Sequence, residues 1–176
     1  AGALGSGDVR QVDSDTSLVF STGGGAGSNN YIVGTAGVSG NNTLAFAQNA
    51  TAAAAKIALF GAGWQDPDRN SLQFLDGAVG ANATINNKGA AVVFAAKSSA
   101  GSATITNGAN SLLSFIGASS AAKAAIDNQG GMLQFADTAT GTTGTVVKST
   151  GTVDVSGSTA KTGVELGSLS GSGAPM

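Results

Sequence analysis

The sequence predicts an all-β solenoid, in which short strands stack in parallel, coil upon coil. Three observations carry this. First, Phe20, Phe46, Phe74, Phe94, Phe115 and Phe135 recur, with Val155 continuing the series, and the last four steps are 20, 21, 20 and 20. Second, Ile32, Ile57, Ile85, Ile105 and Ile126, continued by Val146, follow those aromatic positions at separations of 12, 11, 11, 11, 11 and 11. Third, hydrophobic residues make up 41% of the chain and charged residues only 10%, the reverse of the balance found in disordered chains, although Gly alone accounts for 28 of the 176. A fixed period with two apolar anchors in every repeat is the mark of a repeat architecture, because no single repeat can bury its own apolar face.

Each repeat holds two extended phrases. The first is apolar-x-aromatic: Leu18-Val19-Phe20, Leu44-Ala45-Phe46, Leu72-Gln73-Phe74, Val92-Val93-Phe94, Leu113-Ser114-Phe115 and Leu133-Gln134-Phe135. Residues i and i+2 of a strand share a face, so Leu and Phe point inward and Gln73, Ser114 and Gln134 point out. The second phrase is small-x-Ile: Ala55-Lys56-Ile57, Ala83-Thr84-Ile85, Ala103-Thr104-Ile105, Ala124-Ala125-Ile126 and Gly144-Thr145-Val146. Asn87, Asn107 and Asn128 each come two residues after the Ile, where an Asn suits a left-handed corner and can bond nearby backbone. Stacked at the usual strand spacing of about 4.8 Å, roughly seven such coils form a rod about 30–35 Å long. Residues 50–58 and 119–126 have strong helix formers, yet they fill the same span as "GAVGANATI" and "SSAGSATI" in sister repeats. Shared context outweighs a weak propensity, so both are expected as strand plus tight corner.

The period breaks in a few places. Residues 1–16 fit it poorly and read as an N-terminal cap or a disordered lead-in before a single repeat domain over 17–173, with 174–176 a tail. The step from Ile32 to Phe46 is longer than the one from Ile85 to Phe94, which marks a small loop at "GTAGVSGNN". The step from Ile57 to Phe74 is longer still, nearly twice the regular one, so an insertion lies within 59–71. Leu112 is a one-residue excess, read as a bulge. The inserted segment contains the chain's only Trp, Trp64, and its densest charge cluster, Asp66, Asp68 and Arg69. Insertions in solenoids leave as surface loops, often on the binding face, so these four residues are the candidate partner contact.

Composition narrows the chemistry. With no His and no Cys, a Ser-His pair, a thiol nucleophile, a thiolate metal site and a disulfide are all ruled out. Ten acids against eight bases leave a net charge of -2 with no basic stripe, which argues against nucleic acid. The acids are mostly scattered; Asp13 with Asp15 and Asp66 with Asp68 are the two close pairs, and neither brings the further oxygen ligands that Ca²⁺ takes. The "GGGAG" and "GAG" runs lack the spacing of a nucleotide-binding loop and read as turns. Thr84, Thr104 and Thr145 share an outward slot, interrupted by Ala125, too short a rank to suggest a lattice-matching surface. No catalytic, cofactor or metal-binding residue is assigned. No apolar run reaches the length of a membrane-spanning helix, and the chain, which starts with Ala and shows no signal peptide, reads as an excised piece of a longer protein.

The run from Ser99 to Asn107, "SAGSATITN", closely matches the phrase S-x-A-G-x-A-T-I-x-N, and "GVELGSLSGSG" at 163–173 matches a closing G-S-L-S-G-x-G phrase. On these motifs the chain resembles the passenger region of bacterial autotransporters, over roughly 17–173 and more weakly before residue 70. The resemblance implies a right-handed parallel β-helix with three short strands per coil. It further implies display at the cell surface, or release outside a Gram-negative bacterium, and a C-terminal membrane barrel of the same polypeptide that this chain lacks. It implies an adhesin or a stalk without enzymatic activity, whose partner is a host or environmental protein or glycan. The alternative is a carbohydrate-binding or carbohydrate-active β-helix, by analogy of scaffold.

Overall fold

The computed structural model describes residues 8–172. Fifteen strands follow one another along the described residues. The first seven are β1 (Val9–Val12), β2 (Ser17–Phe20), β3 (Asn30–Val33), β4 (Thr43–Phe46), β5 (Lys56–Phe60), β6 (Ser71–Phe74) and β7 (Thr84–Lys88). The next four are β8 (Ala91–Phe94), β9 (Thr104–Asn107), β10 (Leu112–Phe115) and β11 (Ala125–Asn128). The last four are β12 (Met132–Phe135), β13 (Val146–Ser149), β14 (Thr152–Asp154) and β15 (Ser168–Gly171). The odd strands form one eight-stranded sheet and the even strands a seven-stranded sheet, each in sequence order. All pairings are parallel, so the chain climbs one coil for every two strands: a parallel β-helix. No helix forms among the described residues, including 50–58 and 119–126. The third side of each coil is a single bridged residue, in the series Gly25, Thr51, Val79, Ser99, Ser120 and Thr140.

The register explains the period. Phe46, Phe74, Phe94 and Phe115 pair with their equivalents on both sides, so their rings fall into one column. From Phe20 to Phe135 successive rings stack nearly parallel, with centroids 4.4–5.1 Å apart. Beside them run Leu44, Leu72, Val92, Leu113 and Leu133, all fully buried. The third side is filled by small residues, among them Ala52, Ala55, Ala78, Ala83, Ala100, Ala103, Ala121 and Ala124, all fully buried. Alanine there lets the coil close tightly, while each buried Phe or Leu contributes about 1.5–3 kcal/mol.

Several positions differ from the periodic reading. Tyr31, not Ile32, stands over Ile57, and is buried; Ile32 points away beside Ala58. With Tyr31 the Phe-to-anchor separation becomes 11, as in the coils that follow. Likewise Val147, not Val146, pairs with Ile126, and Val146 is 51% exposed. The turn between the Thr140 bridge and β13 holds one residue more than the Ser120 to β11 turn, which moves the inward positions of β13 along by one; the next corner, Thr150-Gly151 against 129–131, is one residue shorter and β14 returns to the step of 20. Thr145 is therefore buried, its hydroxyl accepting from the Thr142 N–H, and does not join Thr84 and Thr104 on the outside. Val155 lies beyond β14 and is largely exposed, so Phe135 is the last ring of the column. Leu112 pairs in register with Ala91 and Met132; the extra residue sits in the corner at 108–111, where Asn110 takes a φ of 55°. Ser114, expected outside, is buried on the outer face, its Oγ donating to Gln134 Oε1 at 3.0 Å.

Asn87, Asn107 and Asn128 are the largest departure. None has a positive φ, and all three are fully buried inside the corner between the two sheets. Asn87 Nδ2 donates to Asn107 Oδ1 at 3.0 Å, Asn107 Nδ2 to Asn128 Oδ1 at 2.8 Å, and Asn128 Nδ2 to Ser149 Oγ at 3.0 Å. Asn87 and Asn128 also donate to corner carbonyls, Asn87 to Ala90 O and Asn128 to Gly131 O, both at 3.0 Å. A primary amide carries donor and acceptor at once, so an identical stacked neighbour satisfies both. In the preceding coils Leu59 and Val33 occupy the same column.

The two ends differ. Within the 1–16 lead-in, Val9–Val12 forms β1 and sets Arg10 in the column of Tyr31 and Ile57, paired with Asp8 at 3.5 Å. At the other end the same column finishes in Leu169, 58% exposed.

Ser98 and Ser119 fill buried positions held by Ala50, Ala78 and Ala139 in the other coils, and their hydroxyls have no hydrogen-bond partner among the described residues. Ser98→Ala and Ser119→Ala are each expected to stabilise by about 1 kcal/mol, because an unpaired buried hydroxyl is removed without a change of shape. Phe94→Ala is expected to cost about 3–5 kcal/mol in the same denaturant titration. A fall in stability for both serine variants would show that these hydroxyls are paired.

Candidate functional site

Strand positions on both sides of a coil are committed to ladders, so only the corners can accept extra residues. The insertions after β3 and β5 leave at the same corner, the one that holds the asparagine column in later coils. There β7 to β8 needs only Gly89 and Ala90, whereas residues 34–42 and 61–70 form full loops. Leu59 and Phe60 belong to β5 and Ser71 to β6, so the insertion predicted within 59–71 is the loop 61–70. Both flanking strands stay in register with their neighbours, which places the insertion outside the coil.

Two asparagines anchor these loops. Asn42 Nδ2 donates to Asn70 Oδ1 at 2.8 Å, and Asn70 Nδ2 donates to Phe60 O at 2.7 Å, which closes the base of the 61–70 loop. Asn42 Oδ1 accepts from the Thr16 N–H at 3.2 Å, tying in the corner before β2. Gly34, at a φ of 73°, passes so close to Asn70 that a Cβ there would collide with its amide. Neither asparagine stands out in the repeat; the available signal is that each closely precedes a Leu-x-Phe strand, in "NNTLAF" and "RNSLQF".

The four candidate contact residues separate into three roles. Asp66 and Asp68 hold the two loops together. Asp66 accepts from the Ser39 hydroxyl and from the Asp68 N–H, the latter at 3.0 Å across Pro67. Asp68 Oδ1 accepts from Asn41 Nδ2 at 3.2 Å, and its carbonyl accepts from the Gly40 N–H at 2.6 Å. Asp15 Oδ1 continues the chain of bonds by accepting from the Asn41 N–H at 2.9 Å. The Ser39 hydroxyl, followed by the Asp68 N–H, holds the Asp66 carboxyl below its ordinary value of 3.8. Each acid of the two close pairs thus accepts at least one loop hydrogen bond, and among the described residues no three Asp, Glu, His or Cys gather as a metal-binding group.

Trp64 and Arg69 face two different recesses. Trp64 is half-buried, its backbone N–H donates to Asn110 O at 2.9 Å, and it borders an open recess of about 410 Å³ lined by Ala62, Gly63, Gln65, Asp66 and Asn110. Arg69 borders a groove of about 230 Å³ on the outer face of the even-numbered sheet. Its floor is Thr43, Ser71, Gln73, Ala91 and Val93, and its wall is Asn41, Pro67 and Arg69. The recess and the groove share no residue. Comparison with protein-family models, with curated proteins and with solved structures found no match.

Deleting 61–68 together with Arg69→Gly recreates a two-residue corner like Gly89-Ala90. The deletion is expected to keep the β-sheet circular dichroism and to lower the melting temperature by about 4–8 °C, as a few exposed hydrogen bonds are lost. A collapse of the fold would show that the loop is part of the core. The Asp66 contact follows a depressed carboxyl. Its contribution is therefore fully present above pH 3.8 and lost as pH falls through the lower folded value. Amide exchange of Asp68 is expected to be constant from neutral pH down to 3.8, after intrinsic correction, and to rise below it. Asp66→Asn should remove this acid transition.

Proposed function

We propose that this chain is a non-enzymatic passenger segment of a bacterial autotransporter, exposed at the cell surface or released outside it, and that it works as a rigid scaffold for a contact surface. One observation carries the scaffold reading: the two long insertions leave at one corner and are bonded to each other, while the later coils of that corner close in two to four residues. A stack of in-register coils is stiff along its axis, so a loop pair fixed to it is presented in one orientation. The passenger assignment rests on the Ser99–Asn107 phrase and the 163–173 phrase. The partner is a surface protein or glycan, and Trp64 is its anchor, since a half-buried indole beside an open recess offers apolar area at little entropic cost. The non-enzymatic reading draws support from the lining of the recess and the groove. Amides, hydroxyls, one indole and one guanidinium line them, with Asp66 the single carboxylate and already hydrogen-bonded.

The chain should be applied to immobilised glycans and surface proteins, with mass spectrometry of the soluble fraction. Binding without products is expected, weakened about tenfold by Trp64→Ala at an unchanged melting temperature. Release of cleaved glycan or peptide would refute the scaffold reading and favour a carbohydrate-active or proteolytic one.

A further inference from the structure

We propose that the groove beside Arg69 is a binding site for a carboxylated saccharide, with the sugar acid on the Arg69 guanidinium. This rests on the reading of the chain as a surface that binds rather than cleaves, and adds a second site distinct from the Trp64 recess.

The strands of the floor decide the kind of ligand. β4, β6 and β8 are central, each paired on both sides, so their backbone groups are consumed by the ladder. An extended peptide laid there gains no strand-to-strand hydrogen bonds, which are the main source of affinity in peptide recognition by sheets. What the floor offers is side-chain chemistry. Thr43 Oγ1 and Ser71 Oγ lie 3.1 Å apart, and Gln73 Nε2 donates to Ser71 Oγ at 3.1 Å. The two hydroxyls stand on neighbouring strands, where backbones lie about 4.8 Å apart, and Gln73 adds one amide between Ala45 and Val93. Small residues make the floor low: outward-facing Ala91 is 1% exposed and Ser71 7%. Val93 and the Pro67 ring supply apolar surface for the C–H face of a sugar.

Charge sets the acid and its place. Among the described residues Arg69 has no ion pair, so its planar fork is free for a carboxylate. Asp68 is the nearest acid in sequence, and its Oδ1 is held by Asn41 on the other loop. At the far end of the same outer face, Asp154 lies three strands beyond Val93 and accepts from Gln134 Nε2 at 3.4 Å. An anion is therefore favoured at the Arg69 end and repelled at the other.

The test is calorimetric titration of the whole chain with an oligogalacturonate, its methyl ester and a glutamate oligomer of equal charge. The uronate is expected to bind saturably. The ester should bind about tenfold more weakly, as should the uronate to Arg69→Gln, the loss of one charge-assisted contact. Val93→Trp, which fills the groove, should abolish binding, and both variants should melt as the parent does. Asp68→Asn should strengthen binding, and Trp64→Ala should leave it unchanged. No saturable uronate binding, equal binding of the glutamate oligomer, or indifference to Arg69→Gln and Val93→Trp would each overturn the proposal. Trp64-dependent binding in the surface panel would still stand in that case. Shortened uronate in the cell would instead overturn the non-enzymatic reading.

Discussion

The structure depends on one constraint: every coil must set its inward residues directly over those of the coil below. Parallel ladders of short strands impose it, since a slip of one residue would turn the whole buried face outward. The consequence is stacking of like on like. Phenyl rings lie flat on phenyl rings at 4.4–5.1 Å, aliphatic side chains on aliphatic, and alanine on alanine. Such columns suit a chain with few large residues, because each coil borrows the apolar area of two neighbours.

The same constraint accounts for polar groups in the interior. A buried amide is costly unless both of its functions are met. Stacking meets both, because Asn87, Asn107 and Asn128 bond one another in series and Ser149 ends the row. Asn42 and Asn70 repeat the device one step along the chain, where the loops leave. Repetition alone is not sufficient: Ser98 and Ser119 hold equivalent positions in adjacent coils, yet neither hydroxyl is paired among the described residues. Polar residues are therefore met in this core where stacking brings donor to acceptor, as the amides do.

Confinement of variation to the corners links fold and function. Two insertions at one corner lie within hydrogen-bond reach of each other, and their acids join them. The outcome separates residues that are close in sequence: Asp66 and Asp68 brace the loops, Trp64 turns to the Asn110 recess, and Arg69 turns to the outer sheet. Small outward residues such as Ser71 and Ala91 leave room there, so the groove is shaped as much by what the floor lacks as by the wall above it.

The all-β parallel stack and the column from Phe20 to Phe135 were legible in the sequence, because a fixed period with paired anchors admits few other ways to bury them. The insertion near 59–71 was legible for the same reason, as a break in that period. The anchors at Ile32 and Val146 were misplaced by one residue, since adjacent Tyr31 and Val147 can also fill a core position and only the ladder register chooses between neighbours. The asparagine column was legible as a corner position but not as an interior hydrogen-bonded row, which exists only when three coils are superposed. The division of the loop into brace, recess and groove was decided by the tertiary structure alone. It depends on residues far apart in sequence, such as Ser39 with Asp66 and Asn41 with Asp68, meeting across adjacent coils. Spacing along a chain records the rise of a coil, whereas the direction in which a loop's side chains turn is settled by what that coil places beside them.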